Sequence, residues 1–274
     1  LASGGTGGSL SLASGLTSVT SSGSLRIKTP NSGTTGISGS LVFLTGATSS
    51  GSSGKVQIST SLSNVGRGGN IELSIGTDNI DTGGDMVTSA GATTGLTGGA
   101  ISLQTGLGST KSSGSVIVQT NNAGANGISG ELYFTSGTTS SGSSGAFSLN
   151  SGAATAGKGG DIQLSVGAGT AGIGGQVRVL AGNNDENTGG SFSVTTGYGT
   201  TKSSGSVVVK SSNAGDLGAS GALLFSTGTT SSGASGHLSV STGDATTGKA
   251  GDVVLSLGTS NVEESGHTIV SAGT

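Results

Sequence analysis

Pairs of apolar residues recur along the whole chain at a fixed distance after a glycine. This anchor glycine occurs 18 times between Gly8 and Gly266, in steps of 15 residues apart from three steps of 16. The second position after it is apolar in 17 of the 18 modules, as is the fourth, while the position between them is mixed. Such alternation is the strand pattern, because successive side chains leave a strand on opposite faces. Each module therefore predicts one short strand, with glycine at the corner before it and a tail of small residues after it.

One module cannot bury its two apolar side chains alone, whereas modules stacked on either side would cover them. The sequence thus predicts an all-β fold, a parallel β-solenoid (β-helix) of 18 modules with two or three modules in each coil. An antiparallel meander, in which the tails serve as hairpin loops, is the structural alternative.

Six modules make a longer repeat of 91 residues. The segments around Gly23, Gly114 and Gly205 match one another better than adjacent modules do, so these glycines mark the corners of the long repeat. The long repeats cover about residues 21–111, 112–202 and 203–274, and residues 1–20 are the end of a preceding one. We expect one continuous solenoid segment over residues 1–274. No atypical capping sequence interrupts the repeats, which favours ends that stack into a filament.

Composition narrows the class of protein further. With 58 glycines and one proline but no Gly-X-Y period, the chain is not a collagen. A disordered linker is the competing interpretation, and the regular spacing of Val, Ile, Leu and Phe opposes it. Ten basic and 13 acidic side chains are spread without a basic patch, so nucleic-acid binding is not expected. No apolar run has the roughly 20 residues that cross a bilayer, so membrane insertion is not expected either.

Candidate catalytic and cofactor-binding groups are few. His237 and His267 each follow an anchor glycine, and we interpret them as solvent-facing side chains because their counterparts in other modules are unrelated. None of the three Gly-Lys pairs is followed by the Ser or Thr that a phosphate-binding loop requires. The sequence predicts no catalytic residue, no cofactor and no metal site, and hence no enzyme.

Three polar side chains, one amide and two carboxylates, each directly follow an anchor glycine at the corner before a predicted strand. Asn70, Asp161 and Asp252 stand 91 residues apart, and the expected role of such a corner side chain is to bond nearby backbone N–H groups. The acidic group at residues 185–187 occurs in one long repeat only. Neither pattern has the nine-residue spacing of calcium-binding β-rolls.

One set of positions departs from the strand pattern in every long repeat. Val42, Tyr133 and Leu224 lie between two apolar positions, where a strand would turn the side chain outward, yet all three are apolar or aromatic. Isolated exposed apolar residues are common, but three in register favour a stripe that another chain covers. We predict that these residues form a lateral assembly contact.

The phrases at residues 113–120 and 140–145, Ser-Gly-Ser-Val-Ile-Val-Gln-Thr and Ser-Ser-Gly-Ser-Ser-Gly, are repeated along the chain. They resemble the long Gly/Ser repeat proteins of the cell surfaces of diatoms and related algae. The resemblance implies an extracellular structural protein, namely a fibre, flagellar hair or adhesive strand. The partners implied are further copies of the chain, with other structural chains or glycans as alternatives.

A binding surface on the same scaffold is the second class of function. Runs of Thr and Ser at residues 138–141 and 229–232 could face ice or polysaccharide. Ice binding would need threonines in strict register, and the Ala, Asn and Gly at matching positions argue against it. A glycan-degrading solenoid is third, because the sequence offers no carboxylate cluster.

Overall fold

The fold is given by a computed structural model that describes residues 7–78, 82–261 and 265–273. Within these ranges it contains no helix and no strand. The chain divides into two units, Leu1–Phe134 and Thr135–Thr274. Both units are built from the same module, in which positions are numbered from the anchor glycine as position zero.

The tail of each module folds into a loop, and this loop places the next anchor glycine beside the residue at position six of the module. A methyl group placed on Gly54 would lie 3.6 Å from Thr45 Cγ2, and one placed on Gly251 would lie 3.5 Å from Thr242 Cγ2. The same approach recurs at every anchor glycine from Gly23 to Gly251. We call the residues from position six to the next anchor the closing loop, and positions one to five the apolar segment.

Backbone hydrogen bonds fasten the base of several closing loops. The N–H of Gly23 donates to the carbonyl of Gly15 at 3.1 Å, and that of Gly205 donates to Gly197 at 3.1 Å. Gly99 and Gly190 make the equivalent bonds, at 2.9 Å, to the glycines eight residues before them. Each bond joins an anchor to position seven of the preceding module, and a bend lies between them. The chain therefore turns back on itself within one module.

The predicted parallel β-solenoid is wrong for the described residues. Stacked coils would bring together residues one or more modules apart, but few residues twelve or more apart in sequence approach closely. The reason is that the closing loops reverse the chain locally, so successive apolar segments are not laid over one another. The described residues accordingly form no coils of two or three modules. The meander alternative is not seen either, because over residues 7–78, 82–261 and 265–273 no ladder of hydrogen bonds continues from the loops into the apolar segments.

No described side chain is buried, and the chain has no hydrophobic core in these ranges. The accessible surface of the 25.5 kDa chain is 27522 Å². A folded monomer of this mass exposes about 10,400 Å², and a fully unfolded chain exposes about 37,000 Å². The local loops thus remove only a modest part of the surface from water, and the apolar segments remain accessible.

Candidate assembly surface

The residues predicted to form a lateral contact lie on accessible apolar segments. Val42 is 63% exposed, Tyr133 is 77% exposed and Leu224 is 83% exposed. Each is flanked by apolar positions two and four, so the segment presents three consecutive apolar side chains, as in residues 132–134. Side chains this accessible are free to contact another molecule. Whether they form an assembly contact stays a prediction.

Tyr133 differs from its two counterparts because it bonds a side chain of its own segment. Its hydroxyl donates a hydrogen bond to Glu131 Oε2, two residues earlier. The bond stabilises the neutral phenol and so raises the pKa of Tyr133 above its ordinary value, with a smaller contribution in the same direction from desolvation. In the matching places the other two long repeats have Ser40 and Ala222, which carry no charge.

The three glycines at the corners of the long repeat each complete a closing loop. Gly23 lies against Ser14 and Gly15, and the Ser14 hydroxyl also donates to the carbonyl of Gly23 at 2.7 Å. A methyl group on Gly114 or Gly205 would lie 3.6 Å or 3.3 Å from the Cβ of the threonine nine residues earlier. The corner glycines thus have the same local surroundings as the other anchors.

The Thr/Ser runs that could face ice or polysaccharide use hydroxyl groups inside their own loops. Thr139 Oγ1 donates to the carbonyl of Ser141 at 3.0 Å and accepts from the Ser141 N–H at 3.3 Å. Thr230 makes the same two bonds with Ser232, at the same distances. Such turns are the usual local use of a threonine hydroxyl. A hydroxyl engaged in this way is less available to an external ligand.

The Thr/Ser loops also share one backbone conformation in the three long repeats. The glycine that ends the bend has a positive φ in all three long repeats, 107° at Gly51, 104° at Gly142 and 108° at Gly233. Residues with a Cβ rarely adopt this conformation, so glycine is required there by the backbone. The Ser-Ser-Gly phrase is repeated in the sequence, and the positive φ explains why its third residue is glycine.

The corner carboxylates bond a basic side chain rather than the backbone. Lys158 Nζ lies 2.8 Å from the carboxylate of Asp161, and Lys249 Nζ lies 2.8 Å from that of Asp252. In the first long repeat Arg67 donates to Asn70 Oδ1 at 3.4 Å. The expectation of backbone bonding was therefore wrong for these side chains. A basic residue three positions before each of them was visible in the sequence and would have predicted the pairs.

The other polar candidates do not come together as a catalytic or metal site. Asn184 Oδ1 accepts hydrogen bonds from the N–H of Glu186, at 2.9 Å, and of Asn187, at 2.5 Å, so the acidic loop at residues 185–187 is a local side-chain turn. His237 and His267 are exposed. Among the described residues no group of three or more His, Asp or Glu side chains is placed to hold a metal ion.

No helix in the described ranges has the length and apolar character needed to cross a membrane. No family model, no curated protein and no solved structure matches the chain.

Proposed function

We propose that the chain is a structural subunit of an extracellular fibre or surface appendage, and that its apolar segments are covered by other copies of the chain. The observation that carries this proposal is the accessible surface of 27522 Å². It exceeds the value for a folded monomer by about 17,000 Å². That excess is about ten times the area that one standard protein interface buries.

The distribution of the exposed side chains supports assembly over simple disorder. Large apolar residues recur in nearly every module, and Leu41, Phe43, Leu132 and Phe134 are each half or more exposed. A disordered linker is normally poor in such residues, because apolar side chains exposed to water favour association. Regular spacing adds to this effect, because two copies aligned by whole modules would place every apolar segment opposite another.

The backbone of the apolar segments supports the same proposal. In the described ranges no backbone hydrogen bond joins one apolar segment to another. Unpaired N–H and C=O groups beside apolar side chains readily pair with a second chain. An extracellular location is supported by the resemblance of the Gly/Ser phrases to algal cell-surface proteins.

Concentration-dependent association of the purified chain tests the proposal. We expect species close to 25.5 kDa at low concentration in sedimentation velocity, and uniform filaments in negative-stain images above a threshold. Hydrogen exchange should then show the amides of the apolar segments protected only in the filaments. A monomer at every concentration, or a monomer with apolar segments already protected, would contradict the proposal.

A further inference from the structure

The chain has two tyrosines, and their surroundings differ. Tyr133 lies in an apolar segment, is 77% exposed, and donates a hydrogen bond from its hydroxyl to the carboxylate of Glu131. Tyr198 lies in a closing loop, between Gly197 and Gly199, and is 87% exposed. Among the residues that the structure describes, no group accepts a hydrogen bond from the Tyr198 hydroxyl. A base therefore contacts the phenol proton of one tyrosine and not that of the other.

The contact with Glu131 changes how one electron can be removed from Tyr133. The bond raises the pKa of Tyr133, so the phenol is neutral near neutral pH and must lose its proton as it is oxidised. A phenol that has lost an electron is a very strong acid, and a carboxylate already bonded to its hydroxyl takes the proton in the same step. A base positioned in this way typically speeds proton transfer by about 10²–10⁴-fold. Tyr133 is therefore the more easily oxidised of the two tyrosines.

From this contact, and resting on the function proposed above, we infer that Tyr133 is an oxidation site at which two copies of the chain become joined by a dityrosine cross-link. The oxidant is hydrogen peroxide acting through a haem peroxidase, which removes one electron from each of two phenols. Each hydroxyl proton passes to Glu131 of the same chain and from there to solvent. The two radicals form a carbon–carbon bond between ring carbons ortho to the hydroxyl groups, and the hydrogens of these carbons move to the oxygens and restore two phenols. The peroxide takes up the two electrons and two protons and becomes two water molecules.

The position of Tyr133 in the repeat fits a link between two molecules. Its counterparts in the other long repeats are Val42 and Leu224, so a Tyr133–Tyr133 link must join two chains. Tyr133 stands between Leu132 and Phe134, in a segment that we propose other copies cover. Copies aligned in parallel without a shift place their two Tyr133 side chains at the same contact. The cross-link then makes permanent an association that apolar contacts have formed.

The role of Glu131 is measured on the monomer, below the assembly threshold, with the small one-electron oxidant hexachloroiridate. In single-tyrosine chains made by Tyr198→Phe or Tyr133→Phe, Tyr133 should be oxidised about tenfold faster than Tyr198, a gain at the low end because the pair is exposed. Glu131→Gln should lower the rate of Tyr133 to that of Tyr198. Added acetate should then restore much of the lost rate, because a free carboxylate replaces the missing base. A merely structural role of Glu131 would give no recovery with acetate.

The cross-link itself is measured with hydrogen peroxide and a haem peroxidase, added while the chain assembles and uncovered segments remain. Dityrosine fluorescence should appear in the parent chain and in Tyr198→Phe, and should be lost in Tyr133→Phe. Peptide mass spectrometry should find Tyr133 joined to Tyr133. Links through Tyr198 alone, assembly without any link, or equal monomer oxidation rates for the two tyrosines would overturn the inference and leave the proposed function standing. Failure of the parent chain to assemble would overturn the proposed function and the link together, while the monomer rates would still decide whether Glu131 assists the oxidation of Tyr133.

Discussion

The closing loops and the apolar segments alternate along the same chain but differ in where their bonds are made. In a closing loop the hydrogen bonds join residues no more than about ten apart in sequence. At residues 14–23, for example, the anchor glycine bonds the backbone of Gly15 and the hydroxyl of Ser14. In an apolar segment the described side chains stay accessible and the backbone bonds no other segment. The difference teaches that the loops form from contacts within one module, whereas the described apolar segments are not covered by their own chain.

The largest effect is expected from charging the apolar segments. Replacing Val42, Tyr133 and Leu224 together with Lys should raise the assembly threshold at least tenfold, because burying one such apolar side chain is worth about 1.5–3 kcal/mol. The closing loops should be unchanged in hydrogen exchange. Sedimentation velocity against concentration measures the threshold.

A control for this variant places the same charges in the loops. Lys at Ser49, Ser140 and Ser231, which are exposed and occupy matching loop positions, adds three positive charges without touching an apolar segment. This control should assemble at about the same threshold as the parent chain, because it replaces only three exposed serine side chains of the loops. Equal thresholds for the two triple variants would mean that the three predicted contact residues have no special role.

The next largest effect is expected from crowding a closing loop. A Cβ on Gly108 would meet the backbone carbonyl of Lys111 and lie 2.5 Å from that of Ser112, and a Cβ on Gly199 would lie 2.6 Å from the carbonyl of Ser203. Because backbone atoms cannot move aside as a flexible side chain can, Gly108→Ala should open the loop at a cost of ~1–3 kcal/mol. Trypsin should then cleave after Lys111 severalfold faster.

The control for the crowded loop is Gly106→Ala, because a methyl group at Gly106 meets nothing within 4 Å. Cleavage after Lys111 should stay at the parent rate in this variant. The end of the preceding long repeat, at residues 1–20, shows that glycine is not the only solution, since Thr17 stands at the matching position and its hydroxyl donates to the carbonyl of Thr20 at 2.6 Å. Equal cleavage of the two alanine variants would show that the loop does not depend on the close carbonyl.

A smaller loop effect is expected where glycine has a positive φ. Gly142→Ala forces a Cβ into the conformation with φ 104°, at a cost of about 1–2 kcal/mol. The N–H of Ser141, which donates to Thr139, should exchange with solvent roughly 5–30 times faster. Gly137→Ala is the matched control, because this glycine lies in the same loop, its φ is not positive and a methyl group there meets nothing within 4 Å. Equal exchange in both variants would contradict the strain argument.

The smallest effect concerns the long repeat in which the predicted contact residue, Tyr133, has a side-chain partner. Glu131→Gln removes the carboxylate that holds the neutral phenol, so the pKa of Tyr133 should fall toward its ordinary value. At a fixed alkaline pH a larger fraction of Tyr133 should then be ionised. An ultraviolet titration in a Tyr198→Phe background measures Tyr133 alone, because the chain has two tyrosines. A pKa that stays the same or rises would show that the Glu131 bond is not its cause.

The sequence predicted the repeating unit but not its arrangement in space. The spacing of the anchor glycines fixed where the chain turns, and the close approach of Gly54 to Thr45 occurs at that turn. Alternation at positions two and four shows which side chains share a face. It carries no information about what covers that face, since that depends on segments distant in sequence. The solenoid prediction assumed that neighbouring modules cover the apolar side chains. Among the described residues these side chains are not covered.

Local side-chain bonds were predictable only where the spacing was short and repeated. Lys158 and Asp161 stand three residues apart in a pattern that returns 91 residues later at Lys249 and Asp252, so the spacing could have predicted both pairs, although we expected these carboxylates to bond the backbone. The Thr139 hydroxyl was harder to assign, because the same side chain can face solvent or bond its own loop with little difference in free energy. The choice depends on the bend that ends at Gly142, and the sequence alone does not give its geometry.

Closure of each loop within its own module has a consequence for how such a chain can change in length. Inserting or deleting a whole 91-residue stretch disturbs no loop elsewhere, because the anchor glycines from Gly23 to Gly251 meet residues only eight to ten places before them. Recombination between near-identical stretches would then yield longer and shorter variants that fold equally well locally. The length of such a chain can therefore change by whole repeats while the structure of each loop stays the same.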